Sequence, residues 1–106
     1  MATLHEVHEI IRQQVREFME RNHISAGITH LFINDEYREH IINCGTSILC
    51  TKYEIGYSGG SFVQAIVNND LHGTFARADS INTEAIKFYC MLMYNVTPNI
   101  PKDYEG

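Results

Sequence analysis

Leu4, Val7, Ile11, Val15 and Phe18 recur at the three- and four-residue spacing of one helix face, with Ile10 and Met19 widening the stripe. No other stretch of the chain limits the fold as strongly. Glu6, Glu9, Gln13, Arg16, Glu17 and Glu20 occupy the opposite side. Thr3 followed by Glu6 is a capping-box start, whose side chains satisfy N–H groups that a first helical turn leaves unpaired. The spacing predicts an amphipathic helix from about Thr3 to Arg21, ended by Asn22-His23 and the loop around Gly27.

The following segments suggest a sheet. Ile28 to Ile33 is β-branched, aromatic or aliphatic until Asn34-Asp35 interrupts, a pattern that suits a short strand. Asp35 is placed to cap a helix running through about Ile42, and Gly45 to end it. From Ser47 to Tyr57, Leu49, Tyr53, Ile55 and Tyr57 fall on alternate positions, as in a second strand. Ser58-Gly59-Gly60-Ser61 is a break, with Ser58 or Ser61 as cap for a helix carrying Phe62, Val63, Ile66, Val67 and Leu71. Gly73 stops that helix. Asp79 or Ser80 then caps a last helix lined by Ile81, Ala85, Ile86, Tyr89, Leu92 and Met93, which Pro98 and Pro101 terminate. The expected class is α+β: a two- or three-stranded sheet packed by three or four helices, with a C-terminal helical hairpin. One domain spans residues 1–106, and 101–106 reads as a flexible tail.

A chain of 106 residues with 44% hydrophobic and 20% charged content is globular, and without Trp its core is modest. Homo-oligomerisation is one route to burying more surface. The net charge of −5, with the eight Lys and Arg scattered, argues against direct nucleic-acid binding. No apolar stretch is long enough to span a membrane. Met1-Ala2-Thr3-Leu4-His5-Glu6 lacks the basic start and apolar run of a secretory leader. Free thiols at Cys44, Cys50 and Cys90 in a reducing cytoplasm are therefore expected.

Several motifs fail on spacing. In His5-Glu6-Val7-His8-Glu9 the histidines stand three apart, whereas a zinc-protease helix needs them four apart, so no metal site is expected. Cys44 and Cys50 are too widely spaced for a zinc knuckle, and Cys50 and Cys90 read as small buried hydrophobes. Gly59-Gly60-Ser61 before a helix could present N–H groups to an anion, but it lacks the Lys-Ser/Thr of a P-loop; a permissive turn accounts for it. No cofactor fingerprint and no catalytic residue set is evident.

One polar cluster stands out. Asn68, Asn69, Asp70 and His72 close one expected helix, and Arg77, Asp79 and Asn82 lie on the turn into the next. A carboxylate at a helix C-terminus opposes the macrodipole, so Asp70 there would want a cation, and Arg77 is the nearest. The structural reading is an Asp70–Arg77 pair with Asp79 as N-cap. The functional reading is a pocket in which Arg77 binds an anion or planar base, with Asn69 and Asn82 supplying amide hydrogen bonds and Gly59-Gly60 the helix start.

The segment Gly59-Gly60-Ser61-Phe62-Val63-Gln64-Ala65-Ile66-Val67-Asn68-Asn69-Asp70-Leu71, then Arg77-Ala78-Asp79-Ser80-Ile81-Asn82 and Tyr94-Asn95-Val96-Thr97-Pro98, resembles a family of small uncharacterised proteins of tailed bacteriophages. The resemblance covers about the last half of the chain and implies a phage setting, with no activity attached. Small size, acidic balance, absent catalytic motifs and this setting together favour a non-enzymatic accessory protein that binds a host or phage protein, in host takeover or counter-defence, within the infected cell's cytoplasm. The alternative is a binder of a small anionic ligand such as a nucleotide signal, using Arg77, Asn69, Asn82, Asp70, Gly59 and Gly60. A small hydrolase built from His72, Asp70 and Asp79 ranks third.

Overall fold

Thr3 Oγ1 accepts from the Glu6 N–H at 3.1 Å and opens α1 (Leu4–Asn22), and the predicted stripe is the buried one: Val7, Ile11, Val15, Phe18 and Met19. The structure is a computed structural model and describes residues 1–104; Glu105 and Gly106, the end of the expected tail, lie outside the described residues. After α1 come α2 (Thr29–Phe32), α3 (Asp35–Lys52), α4 (Ser61–Val67), α5 (Leu71–Arg77) and α6 (Ser80–Asn95).

The expected α+β class is corrected: the described residues form six helices and no strand. Ile28 to Ile33 makes the single turn α2, in which Ile28 and Leu31, three apart, are buried while Ile33 faces out. Tertiary contacts fix this turn against its β propensity. His23 stacks on Phe32 with ring centroids 4.2 Å apart, and Arg38 Nη1 donates to the Phe32 carbonyl at 3.1 Å.

The expected second strand, Ser47 to Tyr57, is the last third of α3 followed by a loop. Ile41, Ile42, Gly45, Thr46, Ile48 and Leu49 are buried at helical spacing, whereas Tyr53 and Tyr57 of the alternating set are exposed. Gly45 does not end the helix. A Cβ there would lie 3.0 Å from both Leu92 Cδ2 and Val15 Cγ1, so glycine marks a point where α1 and α6 both approach α3 closely. The helix forgoes about 1 kcal/mol of propensity for that approach. Asn34, not Asp35, is the N-cap, its Oδ1 accepting from Tyr37 N at 3.0 Å.

The C-terminal half differs too. α4 stops at Val67, Asn69 takes a left-handed φ of 59°, and a new helix, α5, begins, with Gly73 inside it rather than after it. Gly60, not Ser58 or Ser61, is the N-cap of α4. The expected hairpin is also corrected, because α6 packs on α3 and α1 while α4 packs on α3 and α5. Phe88 and Tyr89 of α6 join Phe18 of α1 and Phe62 of α4 in a chain of tilted ring contacts 5.8–6.0 Å long.

Ion pairs brace the outside. Glu39 of α3 accepts from Arg12 at 2.9 Å and Arg16 at 2.8 Å on α1. Hydrogen bonding to Arg16 in particular holds the Glu39 carboxyl below its ordinary range. Gln14 accepts from Asn99 N at 2.8 Å and donates to the Thr97 carbonyl at 3.1 Å, tying the C-terminal segment to α1. Within the expected tail, Tyr104 packs against the core and Asp103 stands 3.4 Å from the N-terminal ammonium.

Candidate functional site

Asp70 begins a helix instead of ending one. Its Oδ1 accepts from Gly73 N at 3.0 Å, and its carbonyl accepts from Thr74 N at 2.8 Å and Thr74 Oγ1 at 2.6 Å. The premise that Asp70 opposes a macrodipole is overturned, since a carboxylate at a helix N-terminus is favoured. Arg77, in the last turn of α5, is likewise placed where a cation is favoured. The two side chains still converge beside Gly73: a Cβ on that residue would strike the Asp70 carboxylate and lie 2.6 Å from Arg77 Nη1.

Asp70 and Arg77 line one side of a shallow groove of about 270 Å³, with Ser61, Gln64, Ala65 and Asn68 of α4 opposite. The other sequence-predicted residues are deployed elsewhere. Asn69 is exposed at the α4–α5 junction. Gly59 N donates to Thr51 Oγ1 at 2.9 Å, and a Cβ there would come within 2.6 Å of Ser47 Oγ and Val63 Cγ1, so only glycine fits. Gly60 supplies the α4 N-cap from its backbone alone.

Asn82 lies in the core. It is buried, and its Oδ1 accepts from the Tyr89 hydroxyl at 2.6 Å. Cys44 is within hydrogen-bonding reach of both groups, and burial pushes its thiol up to about 11, with the Asp79 carboxylate adding to the effect. Burial also raises the Tyr89 phenol, and Cys44 contributes. These groups are held neutral, the opposite of an activated nucleophile. Asp79 Oδ1 caps α6 by accepting from Asn82 N at 2.7 Å, and its Oδ2 lies 3.2 Å from His40 Nε2. His30 pairs with Glu84 at 2.9 Å, so α2 and α3 each reach the start of α6 through a histidine and a carboxylate. Asp79 therefore meets His40, not the exposed His72 that the hydrolase reading needs.

Of the cysteines expected to be buried, Cys50 is buried and Cys90 is exposed. Among the described residues no group of three or more His, Cys, Asp or Glu could hold a metal ion, and no helix is long and apolar enough to cross a membrane.

The feature that sequence reasoning missed is the outer face of α5. Leu71, His72, Phe75 and Ala76 all face outward, with Leu71 65% and Phe75 50% exposed, while the inner face buries only Gly73 and Thr74. This helix carries its large apolar groups on the wrong side for a monomer core. The signal was present in sequence: once Asp70 is taken as an N-cap, Leu71 and Phe75 stand one turn apart on a new helix.

No protein-family model matches the chain, and neither a curated protein nor a solved structure matches it.

Proposed function

We propose that this chain is a non-enzymatic accessory protein that acts by docking a host or phage protein on the outer face of α5, in host takeover or counter-defence. The observation that carries the reading is the outward pair Leu71 and Phe75 on a short helix whose inner face holds only small residues. Exposed aromatic and aliphatic side chains clustered on one element supply the apolar anchors from which protein interfaces draw most of their energy. Arg77 at the end of the same helix adds a charge-bearing rim. The resemblance of Gly59–Leu71, Arg77–Asn82 and Tyr94–Pro98 to small tailed-phage proteins supports the setting.

The test compares the wild-type protein with a Leu71→Glu/Phe75→Glu double variant in pull-downs from infected-cell lysate. Both positions are exposed, so the variant is expected to fold with an unchanged circular-dichroism melt. A stoichiometric protein retained by the wild type and lost from the variant is the expected result. Recovery of no protein, or equal recovery by both, overturns the reading.

A second reading, a small-anion site, is favoured by the convergence of Arg77, Asn68 and Gln64 on the α4–α5 groove. Thermal shifts with nucleotides that survive in Arg77→Ala would eliminate that groove.

A further inference from the structure

The connection between α3 and α4 builds a second concavity, against the two ends of the chain. Met1 and Ala2, just before α1, and Leu4 at its start give it an apolar side, and Tyr57 and Tyr104 contribute aromatic rings; its charges among the described lining residues are the Met1 ammonium and the Glu54 carboxylate. The cavity measures about 510 Å³, well above the groove beside Arg77 and within the roughly 300–1,000 Å³ of small-molecule sites. Its carbon-rich lining with few polar groups is the usual make-up of such sites.

The loop that carries these groups is anchored. Ile55 is buried, and its N–H donates to the Cys50 carbonyl at 2.8 Å, so the residues on either side are held in place. Glu54 takes a left-handed φ of 56°, a conformation that costs a non-glycine residue energy, and Gly56 follows at 71°. Tyr57 is 92% exposed, which leaves its ring faces uncovered beside the cavity. The N-terminal ammonium is balanced by Asp103 at 3.4 Å, whereas Glu54 has no ion-pair partner among the described residues.

We propose that this cavity binds a small organic ammonium ion. Glu54 is the counter-ion, Tyr57 and Tyr104 supply the electron-rich faces that attract a cation, and Ala2 and Leu4 receive its alkyl groups. The sign follows from the lining and from the whole chain. With the Met1 ammonium paired to Asp103, the unpaired charge in the lining is the Glu54 carboxylate, which together with a net charge of −5 favours a cation over an anion. This inference is independent of the α5 docking face, because none of its lining residues lies on α4, α5 or α6.

The experiment titrates the full-length protein calorimetrically with choline chloride, its neutral isostere 3,3-dimethylbutan-1-ol, and sodium chloride as ionic-strength control. Saturable choline binding, with the neutral isostere about tenfold weaker or worse, is expected. Glu54→Gly removes the carboxylate while relieving the left-handed strain, so it is expected to melt no lower than the wild type and to lose choline binding. Tyr57→Ala, at a solvent-exposed position, is expected to weaken binding several-fold. The proposal is overturned by a choline response no different from sodium chloride, by equal binding of the neutral isostere, or by full retention of binding in Glu54→Gly. The isostere comparison uses wild-type protein alone and decides the matter even if a variant fails to fold.

Discussion

The Tyr89 hydroxyl donates to Asn82 Oδ1 at 2.6 Å, two turns away on the same helix, and both groups are buried. A neutral core hydrogen bond of this kind adds little net stability when intact but is expensive to break on one side only. Asn82 also donates its backbone N–H to Asp79, so the bond joins the capped start of α6 to its buried middle.

Tyr89→Phe is therefore expected to cost about 1–3 kcal/mol, because it strands the Asn82 carbonyl while preserving the ring packing on Phe62 and Phe88. Urea denaturation of Tyr89→Phe, Asn82→Ala and the double variant forms a thermodynamic cycle. The double variant is expected to lose less than the sum of the two singles, since each single already breaks the same bond. Strict additivity would mean that the two groups are not coupled.

The same cluster sets an alkaline limit on stability. The Cys44 thiol is raised from 9.0 to about 11 in the folded protein, chiefly by burial. Between those values the folded chain retains a proton that the unfolded chain has released, so stability falls as pH rises. The loss across the interval is on the order of 2 kcal/mol, and the raised Tyr89 phenol extends it upward. Denaturation midpoints measured from pH 8 to 11 are expected to fall for the wild type and to fall less for Cys44→Ala. Thiol labelling gives an independent check: the exposed Cys90 should react first in the native state, the partly buried Cys44 more slowly, and the buried Cys50 only on unfolding.

Asp70 and Arg77 separate the two accounts of their role. A buried ion pair losing one member would cost about 3–5 kcal/mol. In this structure Asp70 is an N-cap and both side chains are exposed, so Asp70→Ala should cost about 1 kcal/mol and Arg77→Ala about 0.5 kcal/mol or less. Equal losses for both variants, with no additional loss in the double, would instead identify a tight pair.

α1 was legible because a long amphipathic stripe with a capping box satisfies both its local and its tertiary requirements in one conformation. The Asp79 cap and the helix that follows it were legible for the same reason. Ile28–Ile33 and Ser47–Tyr57 were not, because short apolar runs satisfy strand and helix spacing about equally well. Their state was decided by neighbours distant in sequence. Ile48 and Leu49 complete the buried stripe begun at Ile41 and Ile42, and Gly45 lets Val15 and Leu92 close on the helix that carries all of them. No local pattern reports whether a glycine ends a helix or admits a neighbour, and Gly73 posed the same ambiguity beside Asp70. Local spacing, charge and capping chemistry thus suffice for the helices that begin and end the chain. The middle of the chain became helical through packing around α3, and which face of α5 turned outward was decided by its packing on α4; there the burial of side chains far apart in sequence outweighs intrinsic preferences of a few tenths of a kcal/mol per residue.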